Sequence, residues 1–200
     1  MKLWLVRHAR PLAAAGVCYG RSDFPADPAH TDSVAHELAR QLPPSLPMRS
    51  SPLQRCAQLA LRLAELRPDL TITWDERLRE LDFGAWEGRA WNDIAREEID
   101  AWQRDFADHA PGAGEPVRGF MARVGQAYDA HRGEAAWITH AGVIRAVHLL
   151  QQGVRCASDA SQWPREGLAY GAVRIVGGGT MPGGMPGMPA GIDGKAGAGA

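Results

Sequence analysis

Short apolar runs alternate with segments of helical periodicity along this chain, and this alternation is the strongest constraint on its fold. The run at residues 3–6, Leu-Trp-Leu-Val, is continuously apolar, as in a strand that is buried on both faces of a sheet. Strands that alternate with helices indicate an α/β protein, a three-layer α/β/α sandwich with a mainly parallel sheet. We predict strands at 3–6, 71–74, 135–139 and 172–176. We predict helices at 31–42 and 142–152, and a further helix that begins at Ser51, with Pro52 just inside its start.

The length of 200 residues suits one domain of this class rather than two. We place that domain at residues 1–176 and expect the helical pattern at about 91–131 to form a short cap. The composition changes at residue 177, after which the chain is almost entirely Gly, Pro, Met and Ala without a period. Such a segment buries too little apolar surface to offset its ordering entropy, so residues 177–200 are predicted to be a disordered tail.

The net charge limits the kinds of partner expected for this chain, and the cysteines indicate its cellular compartment. The formal net charge is -1, which argues against a surface for nucleic acid or for an anionic membrane. The three cysteines are far apart and lack zinc-ligand spacing, which favours a reducing compartment. The apolar N-terminal run is too short for a signal peptide, and no run approaches the roughly 20 residues of a membrane span. We therefore expect a cytoplasmic protein.

Two histidines follow predicted strands, where ligands of open α/β sheets are bound. His8 comes after the first strand and His140 after the strand at 135–139. Arg7 precedes His8, and Arg55 lies in the first turns of the predicted second helix. We expect the helix after His140 to present free backbone N–H groups to an anion. Two histidines, two arginines and two helix N-termini predict a phosphate site that needs neither a metal nor another cofactor.

Phosphoryl transfer also needs a nucleophile and a proton for the leaving group. A neutral imidazole is a competent nucleophile near neutral pH. Glu80 is the leading candidate for the proton donor, because it follows the strand at 71–74 and would reach the same sheet edge. Asp82 and Glu87 are nearby carboxylates that we expect to hold the loop. Arg145 is expected to brace its own helix.

Four sequence blocks, in order, resemble the histidine phosphatase superfamily, the phosphoglycerate mutase-like group. They are Leu-Val-Arg-His-Ala at 5–9, Ser-Ser-Pro-Leu-Gln-Arg-Cys at 50–56, the block at 78–88 that contains Glu80, and Ile-Thr-His-Ala-Gly-Val-Ile-Arg at 138–145. The resemblance implies His8 as the nucleophile. It implies Arg7, Arg55 and His140 as the phosphate clamp. It also implies Glu80 as the proton donor and, later, as the base for the hydrolytic water.

Within this superfamily, the short chain and the segment Cys-Tyr-Gly-Arg-Ser-Asp at 18–23 look most like the α-ribazole phosphatases of cobalamin synthesis. The resemblance implies α-ribazole 5′-phosphate as the small-molecule substrate. Besides Arg7 and Arg55, the predicted substrate-binding residues are Tyr19, Gly20, Arg21 and Ala141. The chain departs from the family pattern at Ala9, Arg10, Ala14 and Ala141, of which Arg10 and Ala14 bear on the substrate pocket.

Two other functions stay open at this point: a broad-specificity sugar-phosphate phosphatase or phosphoglycerate mutase, and a protein phosphohistidine phosphatase in signalling. The oligomeric state is open too. Trp86, Trp91 and Trp102 could line a pocket for a flat base, although core packing is the commoner role for such residues. Of the other histidines, residue 148 is expected to pack, and residues 30, 36, 109 and 131 are expected at the surface or in loops.

Overall fold

Five strands and five α-helices follow one another between residues 2 and 177, the part of the chain that the computed structural model describes. Short 3₁₀ turns join several of them. The predicted tail lies, from residue 178 onward, outside the described residues. The elements are β1 (Lys2–Arg7), α1 (Pro28–Gln41), β2 (Met48–Ser50), α2 (Gln54–Leu66), β3 (Ile72–Trp74), α3 (Arg96–Arg104), α4 (Val117–Asp129), β4 (Glu134–Thr139), α5 (Ala141–Gln151) and β5 (Val173–Val176).

The strands form one mixed sheet in the order β3-β2-β4-β1-β5. β1 and β4 pair in parallel, as do β4 with β2 and β2 with β3. β5 is antiparallel to β1 at the edge. The predicted α/β class with a mainly parallel sheet is therefore confirmed. The carboxyl ends of β1 and β4 are neighbours, because the register pairs Arg7 with Thr139.

The apolar residues of the central strands divide between two hydrophobic clusters, one on each face of the sheet. In β1, Leu3 and Leu5 belong to one cluster, whereas Trp4 and Val6 belong to the other. Successive side chains of a strand point to opposite faces, so a continuous apolar run requires cover on both. Residues of α4 and α5 contribute to the first cluster and residues of α1 and α2 to the second. This arrangement gives the three predicted layers.

Two elements in the N-terminal half of the chain differ from the predictions. α1 begins at Pro28, three residues before the predicted start at residue 31, because the Asp27 carboxylate caps it by accepting the His30 N–H at 3.0 Å. β2 was missed. It has only three residues and follows Pro47, so it carries too little pattern to be recognised.

The predicted start of α2 at Ser51 was wrong, because the helix begins three residues later at Gln54. Leu53 is the N-cap, with extended backbone and no side-chain capping bond. Ser50 is the last residue of β2, and Ser51 is fully buried. The Ser51 hydroxyl makes a hydrogen bond to His140 instead of capping the helix.

The segment at 91–131 contains α3 and α4, joined through a 3₁₀ turn at Pro111–Ala113. Four of the aromatic residues in and around it pack edge-on in the first cluster: Phe83, Trp86, Trp91 and Trp102. Trp86 and Trp102 are only 1% and 7% exposed, so their rings are part of the core. α4 packs beside α5, and the cap stays a prediction.

Candidate active site

His8 and His140 lie side by side at the carboxyl edge of the sheet. Each follows directly the last residue of its strand, and the His8 N–H donates to the Thr139 carbonyl at 3.0 Å. The centroids of the two rings are 5.1 Å apart. Parallel neighbours end on the same side of a sheet, so residues 132 positions apart in sequence meet at one point.

The hydrogen bond of His8 determines which of its ring nitrogens keeps a free lone pair. Its Nδ1 lies 2.6 Å from the Ala9 carbonyl oxygen, which can only accept, so Nδ1 carries the proton and Nε2 keeps its lone pair. The side chain is buried, at 2% exposure. Burial, with a smaller contribution from the positive charge of Arg55, holds the pKa of His8 well below its usual value. His8 is therefore a neutral imidazole with a free lone pair.

His140 is fully buried and is held from the side of α2. Its Nε2 lies 2.8 Å from the Ser51 hydroxyl and 3.5 Å from the Cys56 sulfur. Burial first, and then the charge of Arg55, holds the pKa of His140 well below its usual value. Neither Ser51 nor Cys56 was singled out from the sequence, because a serine next to a strand and a cysteine on an apolar helix face carry no distinctive pattern.

Arg7 and Arg55 each retain an N–H donor that no described residue accepts. Arg55 is fully buried and donates to the carbonyls of Ser22 and Gly20 at 2.8 and 2.5 Å. Arg7 donates from Nη1 to the Leu168 carbonyl at 2.5 Å. The Nε of both side chains is buried without a hydrogen-bond partner among residues 2–177. Buried guanidinium donors without an acceptor are costly, and a phosphate oxygen is the acceptor they match.

A third guanidinium, that of Arg145, lies close to the same site. It is on α5, one turn after Ala141, and its Nε is also buried without a partner in the described part of the chain. Burial lowers the pKa of Arg145, the negative charge of Glu80 opposes that effect, and Arg7 adds to it. From the sequence, Arg145 was expected to brace its own helix. Its proximity to Arg7 and Glu80 instead adds positive charge to the site.

At each of the two helix N-termini of the site, one backbone N–H is bonded to a carboxylate. Glu80 accepts the Gly142 N–H at 2.9 Å on one carboxylate oxygen and the Leu81 N–H at 3.1 Å on the other. At the start of α2, the Gln54 N–H donates to Asp23 at 2.6 Å. The expectation of free N–H groups is thus corrected for Gly142 and Gln54, because a helix N-terminus attracts any nearby negative group. The same bond places Glu80 beside the helix that His140 begins.

The loop that carries Glu80 is held by Arg123 on α4. The Arg123 Nε lies 2.7 Å from a carboxylate oxygen of Glu115, and this ion pair orients the remaining N–H donors of Arg123. Those donors reach three backbone carbonyls of the loop, so the backbone around Glu80 has little freedom. The acceptors are the carbonyls of Arg77, Arg79 and Glu80, at 2.8, 2.7 and 3.0 Å.

The predicted substrate-binding residues differ in where they lie. The Tyr19 ring is 5.4 Å from the Arg55 guanidinium, and Gly20 packs so closely that a Cβ there would lie 1.7 Å from the Leu81 carbonyl oxygen. Ala141 is the half-buried first residue of α5. The exposed Arg21 side chain instead faces the Asp82 carboxylate, at 3.6 Å.

Glu87 ties the loop of Tyr19 to the loop of Glu80. Its carboxylate accepts the backbone N–H of Arg21 at 2.8 Å and that of Phe83 at 3.0 Å. It also accepts the backbone N–H and the hydroxyl of Ser22. A carboxylate with four such partners serves the loop structure, as expected from the sequence, and is not free to donate a proton.

We expect stability to fall as the pH is lowered, because three buried histidines resist protonation. Burial is the first cause of the lowered pKa of His8, of His140 and of His131. His131 was expected at the surface or in a loop; it lies in the loop after α4 and is only 1% exposed. In the unfolded chain these groups titrate near pH ~6.5. Below that value the unfolded chain binds protons that the folded chain does not, so the free energy of unfolding decreases by up to about 1.4 kcal/mol per pH unit for each histidine.

Denaturant unfolding in phosphate-free buffer between about pH 7.5 and pH 5 tests this expectation. His8→Asn should reduce the slope of unfolding free energy against pH, whereas His36→Asn, on the exposed side of α1, should leave it unchanged. An identical slope in wild type and His8→Asn would contradict the assignment of a neutral, buried His8.

Comparisons with known proteins agree with this geometry. The family model described as histidine phosphatase superfamily (branch 1) matches residues 3–176. The chain is similar to the solved structure of TTHB049 from Thermus thermophilus, with 30% identity, a TM-score of 0.70, and coverage of 88% of this chain and 93% of that one. The mycobacterial glucosyl-3-phosphoglycerate phosphatase Rv2419c shares the fold at 22% identity and a TM-score of 0.70, covering 87% and 88% of the two chains.

The search of curated proteins found no match. Among the described residues, no helix combines the length and the apolar character that crossing a membrane requires.

Proposed function

Because the chain belongs to the histidine phosphatase superfamily, branch 1, and is thus an enzyme of the phosphatase class, we propose that it hydrolyses the phosphate monoester of a small metabolite through a phosphohistidine on His8. The observation that carries the proposal is the state of His8. Its Nδ1–H is bonded to the Ala9 carbonyl, so the lone pair of Nε2 is available, next to His140 and the arginine pair.

In the first step, the lone pair of His8 Nε2 attacks phosphorus and the bond from phosphorus to the leaving oxygen breaks. The free Nε donors of Arg7 and Arg55 bind the non-bridging oxygens, on which negative charge is spread in the transition state. Glu80 delivers a proton to the leaving alkoxide, which departs as an alcohol. His140, which is neutral and buried, places a ring nitrogen beside the same phosphoryl group.

In the second step, water attacks the phosphoryl group and the P–N bond breaks, which returns the electron pair to Nε2. Glu80, now a carboxylate, accepts the proton of the water, so the site regains its starting state. The proposed reaction uses no metal or cofactor, because the guanidinium groups supply the positive charge that a metal ion provides elsewhere.

The substrate that we propose is α-ribazole 5′-phosphate, on the basis of the segment at 18–23. The position of Tyr19 over Arg55 supports a role for that segment at the mouth of the phosphate site. Transfer of the phosphoryl group to a second sugar phosphate, as in a mutase, and removal of phosphate from a phosphohistidine protein are the competing outcomes.

A substrate panel tests the proposal. We expect phosphate release from α-ribazole 5′-phosphate with the highest kcat/KM, and slower release from 3-phosphoglycerate, glucosyl-3-phosphoglycerate, fructose bisphosphate and an aryl phosphate. If the rates on all esters are equal and weak, the proposed hydrolysis of phosphate monoesters stands, and the assignment of α-ribazole 5′-phosphate as the substrate fails. Label that moves from a bisphosphate to a monophosphate acceptor, instead of to water, would identify a mutase. Faster loss of label from a phosphohistidine protein than from any small ester would identify the signalling function.

A further inference from the structure

The segment Pro164–Gly171, which we call the strap, runs across the mouth of the phosphate site without regular secondary structure. Two of the site arginines donate to its backbone. Arg7 donates to the Leu168 carbonyl at 2.5 Å, and Arg145 donates to the Arg165 carbonyl at 3.2 Å. The strap therefore occupies guanidinium N–H groups that an anion would otherwise use.

Two tyrosines close the remaining opening. The Tyr170 ring, on the strap, lies 3.9 Å from the Arg7 guanidinium and 5.6 Å from the His8 ring. The Tyr19 ring covers Arg55 from the opposite loop. The two hydroxyl groups are hydrogen-bonded to each other at 2.8 Å. One tyrosine ring thus covers each phosphate-binding arginine, and a single hydrogen bond joins the two rings.

The consequence is that the site is closed to a substrate in this conformation. His8 is 2% exposed, and His140 and Arg55 are fully buried. In the proposed reaction a phosphate ester must contact His8, and its leaving group must extend outward from His8. The strap or the Tyr19 loop has to move before the ester reaches the nucleophile.

We propose that the hydroxyl bond between Tyr19 and Tyr170 is a latch that keeps the free enzyme closed, and that a phosphate ester is admitted when the latch opens. The proposal rests on the proposed function, in which His8 is the nucleophile. Only the open form binds the ester, so the apparent affinity is the intrinsic affinity reduced by the fraction of open molecules. A phosphate oxygen competes with the Leu168 carbonyl for Arg7, and the charged acceptor makes the stronger bond.

The two hydroxyl groups can be removed without removing the rings. Tyr19→Phe and Tyr170→Phe keep the aromatic cover over the arginines and abolish the hydroxyl bond. The third tyrosine of the chain, Tyr128 on α4, provides the matched control Tyr128→Phe. A neutral hydrogen bond shifts an equilibrium about two- to tenfold, and this is the expected size of the effect.

We expect each single latch variant to raise kcat/KM for a phosphate ester about two- to tenfold. The affinity for inorganic phosphate, measured by calorimetry, should rise by the same factor. The double variant should gain no more than either single one, because both substitutions break the same bond. Tyr128→Phe should match wild type in both measurements. Unchanged or weaker phosphate binding in both single variants would overturn the latch, as would gains that add up in the double variant.

The same measurements separate the latch from the proposed function. If hydrolysis survives His8→Ala, the proposed function fails. If hydrolysis depends on His8 while Tyr19→Phe and Tyr170→Phe behave as wild type, the latch alone fails. A loss of ester binding confined to Tyr19→Phe would make that hydroxyl a substrate contact and would also overturn the latch.

Discussion

Replacing His8 by alanine is expected to lower kcat/KM for every phosphate ester by on the order of 10⁴-fold or more, the scale seen when a covalent enzyme loses its nucleophile. The reason is the loss of Nε2, the nucleophile of the proposed reaction, whose lone pair is free because Nδ1 carries the proton. Initial rates of phosphate release measure the effect. Rapid quenching with a labelled ester should trap an acid-labile, base-stable phosphoenzyme in wild type and none in His8→Ala.

His36→Ala is the control for this experiment, because His36 is exposed on α1. It should retain wild-type rates and the trapped label. An unfolding curve is needed for His8→Ala, since the substitution leaves a small space and an unpaired Ala9 carbonyl at a buried position. Phosphate release by folded His8→Ala within tenfold of wild type would exclude the covalent mechanism.

Replacing Gly142 by alanine is expected to lower kcat for an alkyl phosphate about 100-fold, the scale of a lost general acid. A Cβ at this position would lie 2.2 Å from one Glu80 carboxylate oxygen and 3.2 Å from the other. The carboxylate must then leave its place at the N-terminus of α5. KM should change little, because the arginines that bind phosphate stay in place. Alanine favours a helix over glycine, so the free energy of unfolding should not decrease.

The leaving group distinguishes a displaced proton donor from a general distortion of the site. The aryloxide of an aryl phosphate leaves without needing a proton, so the rate at which this ester phosphorylates His8 should fall far less than the rate for the alkyl ester. The second step, in which Glu80 is the base, is common to both esters, so the first step is measured separately as the burst of released aryloxide or alcohol. Gly119→Ala is the matched control, since Gly119 is exposed on α4 and the nearest atom to an added Cβ is 3.8 Å away. Equal losses in the phosphorylation rate for the aryl and alkyl esters would falsify the role assigned to the Gly142–Glu80 contact.

The fold was largely predictable from the sequence, because burial imposes a local pattern. β1 and β4 are buried on both faces, and both show as continuous apolar runs. The elements that were missed or misplaced lack such a pattern. β2 is three residues long, and α2 begins three residues after Ser51, whose hydroxyl bonds to the distant His140.

The site was predictable to the extent that its residues follow strands or match a family block. His8 and His140 were found from their positions after apolar runs, and Glu80 from its place after the predicted strand at 71–74 together with the family block that surrounds it. Arg145 was assigned a bracing role, although its Nε is buried without a partner in the described part of the chain. Tyr170 was not considered, since a single tyrosine before an edge strand carries no pattern.

The sequence by itself therefore determined the layer architecture and the two histidines, since hydrophobic periodicity and position at a strand end are local properties. Only the tertiary structure decided which hydrogen-bond donors are already taken. The N–H groups of Gln54 and Gly142 bind Asp23 and Glu80, and the Arg7 guanidinium binds the strap. Each donor takes the best acceptor within about 3 Å, and these acceptors come from segments that are distant in sequence, so no local pattern records the outcome.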